Sequence, residues 1–189
     1  MNIPIDISNV VLKSQRLTLR AWRPSDVDDF FEYASVDGVG QMAGWAPHKD
    51  KQESLKIINM FIDKKKTFAI EYCGKVIGSF GIEKYNEESC PELQNYRARE
   101  LGFVVSKNYW GQGIAPEATK RVIQYLFEEL DVQILLCGYY TFNSQSKRVQ
   151  EKCGFEFYKK ELHKNQIGET QEAILNIMIN PKYKDEIKL

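Results

Sequence analysis

What this 189-residue chain lacks excludes several ordinary classes of protein. No apolar run approaches the ~20 residues a helix needs to span a bilayer. The start, MNIPIDISNV, has no basic segment followed by an apolar core, so no signal peptide is expected. Charge of one sign is also missing: 26 basic and 26 acidic side chains leave a formal net charge of zero. That balance gives no long-range attraction to nucleic acid or to an anionic membrane. The four cysteines, Cys73, Cys90, Cys137 and Cys153, form no CxxC pair, which disfavours a zinc site. Cys73, Cys137 and Cys153 lie in apolar segments and read as small core residues. Reduced thiols in a cytoplasmic protein are the expectation. Internal repeats and low-complexity linkers are absent too, so the 22.0 kDa chain, 1–189, reads as one domain.

What is present is an alternation of strand and helix patterns. Gln15 to Ala21 places Leu17 and Leu19 on one face, as a half-buried strand does. A helix starts after Arg23-Pro24-Ser25-Asp26, with Val27, Phe30, Phe31 and Ala34 on its apolar side. Asp37 to Asp50 has no clear period and reads as a long loop with short helical turns; loops of that length usually have a job. Lys51 to Lys65 is a second helix, ending in a lysine run that reads as a solvated helix end. Thr67–Tyr72 and Lys75–Lys84 are strands joined at Cys73-Gly74, a hairpin signal. Tyr85 to Asn95 is a polar, exposed connection. Gln133–Thr141 is almost continuously apolar, as a strand buried on both faces would be. Asn143–Cys153 is a helix with Asn143 suited to its N-cap and Gly154 to its stop. Phe155–Glu161 and Gln171–Ile179 are the last strands, and the lysine-rich tail after Pro181 is expected to fray. The whole is an α+β chain with a mixed sheet of about seven strands.

The centre of the chain is Arg99 to Leu130. Glu100 to Ser106 reads as a strand, Lys107 to Ile114 as a tight loop, and an amphipathic helix starts near Ala115. Pro116 suits a first helical turn, and Glu117 suits the positive end of the helix dipole. Ala118, Val122 and Leu126 repeat every four residues. Gly111 and Gly113 let the loop approach a ligand closely, so its N–H groups and those of the helix start form a ready phosphate cradle. A Rossmann loop would need a third glycine where Pro116 stands. A Walker loop would need Gly-Lys-Ser/Thr, whereas Ile114 and Ala115 follow Gly113.

The run from Tyr109 to Ala118, YWGQGIAPEA, instead resembles the acetyl-CoA pyrophosphate loop of GNAT N-acetyltransferases, closest to the RimJ/RimL-like branch. Trp110 stands in the place of the usual Gln/Arg, Gly113 in that of the glycine and Ala115 in that of the last small residue. Asn143-Ser144-Gln145-Ser146 followed by Lys152-Cys153-Gly154-Phe155 resembles a second motif of the same branch. The resemblance covers roughly residues 15–180 and implies the GNAT fold, acetyl-CoA as cosubstrate and no metal. It implies cofactor contacts from Phe103, Val104, Val105, Trp110, Gly111, Gln112, Gly113, Ile114, Ala115, Asn143 and Ser146. The acceptor would be a primary amine, either a protein N-terminal α-amine or a small molecule, attacking directly, in a monomer or homodimer. Many GNATs protonate the leaving thiolate with a tyrosine at the position of Gln150. Here Ser146 is the candidate for that hydrogen bond or proton. The missing tyrosine also leaves open a non-catalytic acyl-CoA-binding or sensing module.

Glu100 is the candidate base, because an ammonium must lose its proton before it can attack. Burial in a cleft would raise its titration from ~4.3 towards working pH. The structural alternative is an ion pair with Arg97 or Arg99. His163 and Tyr139 are weaker candidates, and Met42, Trp45 and His48 of the long loop are candidates for the acceptor pocket.

Overall fold

Every expected helix and strand forms in the computed structural model, which describes residues 1–189, and one short strand is added. The strands are β1 (Leu12–Lys13), β2 (Leu17–Ala21), β3 (Thr67–Tyr72), β4 (Lys75–Glu83), β5 (Ala98–Val105), β6 (Ile134–Tyr140), β7 (Glu156–Lys164) and β8 (Thr170–Ile179). The helices are α1 (Val27–Ala34), α2 (Lys51–Lys64), α3 (Ile114–Glu128) and α4 (Ser144–Cys153). All eight strands share one sheet in the order β1-β2-β3-β4-β5-β6-β8-β7. Neighbours are antiparallel except β5 and β6, which α3 connects as a parallel crossover.

That parallel pair sets up the site. Its ladder joins Ala98–Leu101 to Ile134–Cys137 and then stops. Beyond it β5 stays on β4 as far as Val105, and β6 stays on β8 as far as Tyr140. The two strands thus part in mid-sheet, and the second half of β5 has no strand partner on its β6 side. Because successive side chains alternate, Leu101, Phe103 and Val105 face α3, while Glu100, Gly102 and Val104 face the opposite layer. Leu101 and Val105 pack with Ile114, Ala118, Val122 and Leu126 of α3, and Val104 packs against the cluster that holds Phe30, Tyr33 and Ile58 of α1 and α2. Helices α1 and α2 therefore cover one face, α3 and α4 the other.

The start of α3 is fixed by packing rather than by a cap. Its N-cap, Gly113, offers no side-chain acceptor, and a missing cap costs about 1 kcal/mol. Val122 and Leu126, fully buried, return roughly 1.5–3 kcal/mol each. The stripe outweighs the cap and leaves the helix N-terminus open.

Several sequence expectations are corrected. Cys73 is exposed, because it occupies the left-handed corner of the β3–β4 turn (φ 51°); Cys90 is the deeply buried thiol that the polar surroundings of its segment concealed. The connection after β4 is not simply exposed: Tyr85, Cys90 and Leu93 turn inward onto Ala98, Ile134, Leu136 and Ile177. Nor does the tail fray. Pro181–Tyr183 forms a 3-10 turn, Tyr183 and Lys182 bond Asp131, and Ile187 is buried. In the lysine run, Lys66 is half-buried and pairs with Glu83 rather than standing in solvent. Strand β1, only two residues long, carries too little pattern to be read.

Candidate active site

The loop between β5 and α3 is an unsaturated set of donors. Gly111 and Gly113 both take positive φ (75° and 77°), which turns successive N–H groups the same way. The N–H groups of Gly111, Gln112, Gly113, Ile114 and Ala115 have no acceptor in the protein. Gly111, Gln112 and Gly113 are exposed, so three of these five donors at a helix N-terminus open to solvent, while Ile114 is buried. The loop is held from both sides. Trp110 spends its indole N–H on the Val105 carbonyl at 2.8 Å, so its ring anchors the loop end. Arg16 donates to the Gln112 carbonyl at 3.0 Å and to the Glu117 carboxylate at 2.7 Å, and the same carboxylate accepts from Ser14 Oγ at 2.7 Å. Glu117 thus ties the first strands to the start of α3, beyond the dipole role expected of it.

A cavity of about 580 Å³ runs from this loop into the gap between β5 and β6. Its walls include Phe103 and Val105 from the α3 face and Glu100 and Val104 from the α1/α2 face, so it passes through the sheet. Of the residues singled out from the sequence as contacts or catalytic groups, Trp110, Gly111, Gly113, Ile114, Ala115, Asn143 and Ser146 also line it, and Gln112 does not. Gly102 and Gly138 stand at the split: a Cβ at the first would meet nothing within 4 Å, and at the second would lie 3.4 Å from Glu100 Oε1. Small residues there keep the passage open.

Glu100 projects into the passage without an ion pair or hydrogen bond. Arg97 pairs with Asp131, and Arg99 donates to the Ile3 carbonyl, so neither arginine neutralises it. Burial, and secondly the nearby Glu161 carboxylate, raise its pKa to about 7. A carboxyl balanced between its two forms near neutrality can take up and release a proton.

On the opposite face, Asn143 caps α4 by accepting from Ser146 N at 3.0 Å, while its amide donates to the Met42 carbonyl at 3.0 Å. It ties the long loop to the start of α4 and so helps shape the cavity it lines. Ser146 lies half-buried on the cavity wall, as its helical face predicted. Gln150, in the place of the usual tyrosine, is fully buried beneath it.

The long loop divides its residues. Met42, with Val39 and Ala43, lines the cavity. Trp45 and His48 do not: His48 packs edge-on to Phe30 at 4.9 Å, bonds Ser54 Oγ at 2.8 Å and lies 5.2 Å from the Trp45 ring. They hold the loop to α1 and α2. Tyr139 lines the α4 side and His163 the opposite side, where Glu161 and Tyr140 join it. Glu161 and Tyr140 went unnoticed in the sequence; alternation of Glu161 and His163 on one strand was the available signal. The Gln166 N–H donates to the Gly44 carbonyl at 2.9 Å, so the tip of the β7–β8 hairpin meets the long loop at this mouth.

Such a site, with an anion cradle and a near-neutral carboxyl opening on one passage through a split sheet, suits transfer between a phosphate-bearing donor and a second substrate. Residues 16–156 match the family model described as the acetyltransferase (GNAT) domain. The chain belongs to this family and is an acetyltransferase. The N-acetyltransferase p20 of Bacillus licheniformis is 26% identical over 77% of this chain and 82% of its own length. The crystal structure of a GNAT-family acetyltransferase from Bacillus anthracis is similar with a TM-score of 0.78 at 20% identity, over 90% of this chain and 99% of that one. The ribosomal-protein-S5-alanine acetyltransferase of Vibrio fischeri shares the fold with a TM-score of 0.69 at 19% identity, over 93% and 100% of the two chains.

Proposed function

We propose that the chain, as one GNAT domain of the RimJ/RimL-like kind, moves the acetyl group of acetyl-CoA to a primary amine by direct attack. The observation that carries this reading is the placement of the two functional ends. Four of the five free N–H groups, all but that of Gln112, and Glu100 open on one passage, from opposite faces of the sheet. The residues fit the cosubstrate: the loop donors suit a pyrophosphate, and the unpartnered edge of Gly102–Val105 suits an amide-bearing arm. Acetyl-CoA supplies the activated acyl group. Glu100 takes the proton that makes the amine nucleophilic, and an N–H on the β5 edge polarises the carbonyl. Ser146 faces the departing sulfur from the other wall. No metal enters this chemistry.

The acceptor arrives from the α1/α2 face. Because the hairpin tip and the long loop meet over that mouth, the opening suits an amine presented end-on, a chain N-terminus or a small amine, better than one set in a flat surface. The reaction is proposed for the cytoplasm, with no nucleic acid involved. The test is release of free thiol from acetyl-CoA across N-terminal peptides, polyamines and aminoglycosides. Turnover on at least one class is expected, and peptides alone would assign an N-terminal acetyltransferase. Failure to bind acetyl-CoA in calorimetry would refute the reading.

A further inference from the structure

The side chain at the position of the usual tyrosine has a defined job. Gln150 is fully buried, and each of its polar atoms is engaged. Its Nε2 donates to the Gly138 carbonyl at 3.2 Å and to Ser146 Oγ at 3.2 Å, and its Oε1 accepts from Asn176 Nδ2 at 3.0 Å. A carbonyl oxygen only accepts, so the end facing Gly138 must be the NH₂ group. Both amide hydrogens are then used, one of them on Ser146. The Ser146 oxygen is thereby an acceptor inside the protein, and its own hydrogen must point elsewhere. It makes no bond back to the carbonyl four residues earlier, as Ser35 does with Phe31 and Thr119 with Ala115. The remaining direction is the cavity, which Ser146 lines.

We propose that Gln150 is a positioning residue that fixes the Ser146 hydroxyl as a donor towards the thiol sulfur of coenzyme A. The inference rests on the acetyl-CoA reading above. In the transfer, the amine nitrogen forms a bond to the acyl carbon and the carbon–sulfur bond breaks. The nitrogen loses one proton, the sulfur ends with one, and the products are amide and thiol. Ser146 gives up no proton in this balance; its hydrogen bond stabilises the sulfur while it is anionic. A tyrosine at position 150 would approach the sulfur itself, whereas the glutamine acts one residue removed, through the serine on the preceding turn.

The test titrates the thiol of bound coenzyme A by its thiolate absorbance, alongside kinetics. In the wild-type protein the bound thiol is expected to ionise at lower pH than free coenzyme A. Gln150→Met, which keeps the shape and removes the donors, is expected to reverse that displacement and lower kcat about tenfold, the worth of one hydrogen bond, with little change in the KM for acetyl-CoA. Ser146→Ala should do the same, and the double variant no more. Gln150→Glu should be as impaired, because a carboxylate would capture the serine hydrogen; it also provides the readout if the methionine variant fails to fold. A thiol that titrates in the wild type as it does in free coenzyme A, or a Gln150 variant that folds and retains the wild-type thiol titration, overturns the proposal and leaves the acetyltransferase reading standing. Failure of the wild type to bind coenzyme A overturns both.

Discussion

At the scale of single residues, Glu100, as the proposed base, would couple activity to stability with opposite signs. A carboxyl that titrates near ~4.3 in the unfolded chain and about 7 in the folded one is held more protonated by folding. Its contribution to stability is fully present below about pH 4.3 and lost as pH rises through 7. The difference between the two titrations corresponds to a loss on the order of 4 kcal/mol. The base form is the one lost from stability and, on the proposed mechanism, gained for catalysis. Glu100→Gln is therefore expected to melt at higher temperature than the wild type at pH 8 and at the same temperature near pH 4. Its kcat should fall on the order of 10²–10⁴-fold. Parallel thermal melts and rate profiles check both halves; a variant that gains no stability at pH 8 would contradict the burial argument. Glu161 adds to the upward displacement of the Glu100 pKa, so Glu161→Gln should move the acid limb of the kcat/KM profile to lower pH. A limb that stays in place would remove Glu161 from the electrostatics of the site.

Among the elements, the β5–loop–α3 unit carried most of what could be read in advance. Ala118, Val122 and Leu126 announce a helix by period, and Gly111 and Gly113 announce a loop needing left-handed corners; both are local properties. Asn143 and Gly154 likewise cap α4 at its two ends, as their residue types predict. What could not be read depends on partners distant in sequence. The split between β5 and β6 is a matter of register, and no residue in either strand declares where a ladder ends. Gln150 looked like a deficiency because its value lies in Gly138, Ser146 and Asn176, which only the fold assembles. Trp45 and His48 were aromatic residues in a functional loop, yet their rings meet each other and Phe30 instead of the cavity. The loop itself gives a test at this scale. Gly113 has positive φ, and a Cβ there would stand 3.5 Å from Arg16 Nη2. Gly113→Ala should cost about 1 kcal/mol in the cradle's conformation, raising the KM for acetyl-CoA several-fold and leaving the acceptor KM unchanged. Steady-state kinetics with each substrate varied would show it; an equal rise in both KM values would mean that the loop shapes the whole passage.

For the molecule as a whole, the sheet acts as a partition with one doorway. In the proposed reaction, helices α3 and α4 hold the donor's side and α1 and α2 the acceptor's side, so two substrates can meet without competing for one entrance. On that proposal the mouth at Gly44 and Gln166 belongs to the acceptor's side. The hydrogen bond between them joins the long loop to the β7–β8 hairpin, and Asn165 packs beside Gly44 at the same junction, its Cβ 3.0 Å from where a Gly44 side chain would begin. Removing Gln166 and Ile167 shortens the hairpin tip, detaches the two segments and opens the mouth. The rest of β7 and β8 keeps its pairing, from Glu156↔Ile177 up to His163↔Gln171, so the sheet is expected to survive the deletion. Affinity for acetyl-CoA, measured by calorimetry, should then stay within about twofold of the wild type, because the proposed cofactor contacts on the loop and at the start of α3 lie across the sheet. The acceptor KM should rise, and the range of amines accepted should widen to bulkier ones, because the wall that forces end-on entry has gone. A loss of acetyl-CoA affinity in a variant that still folds would show that the two faces are not independent, and that the doorway is shaped as much by the acceptor's side as by the donor's.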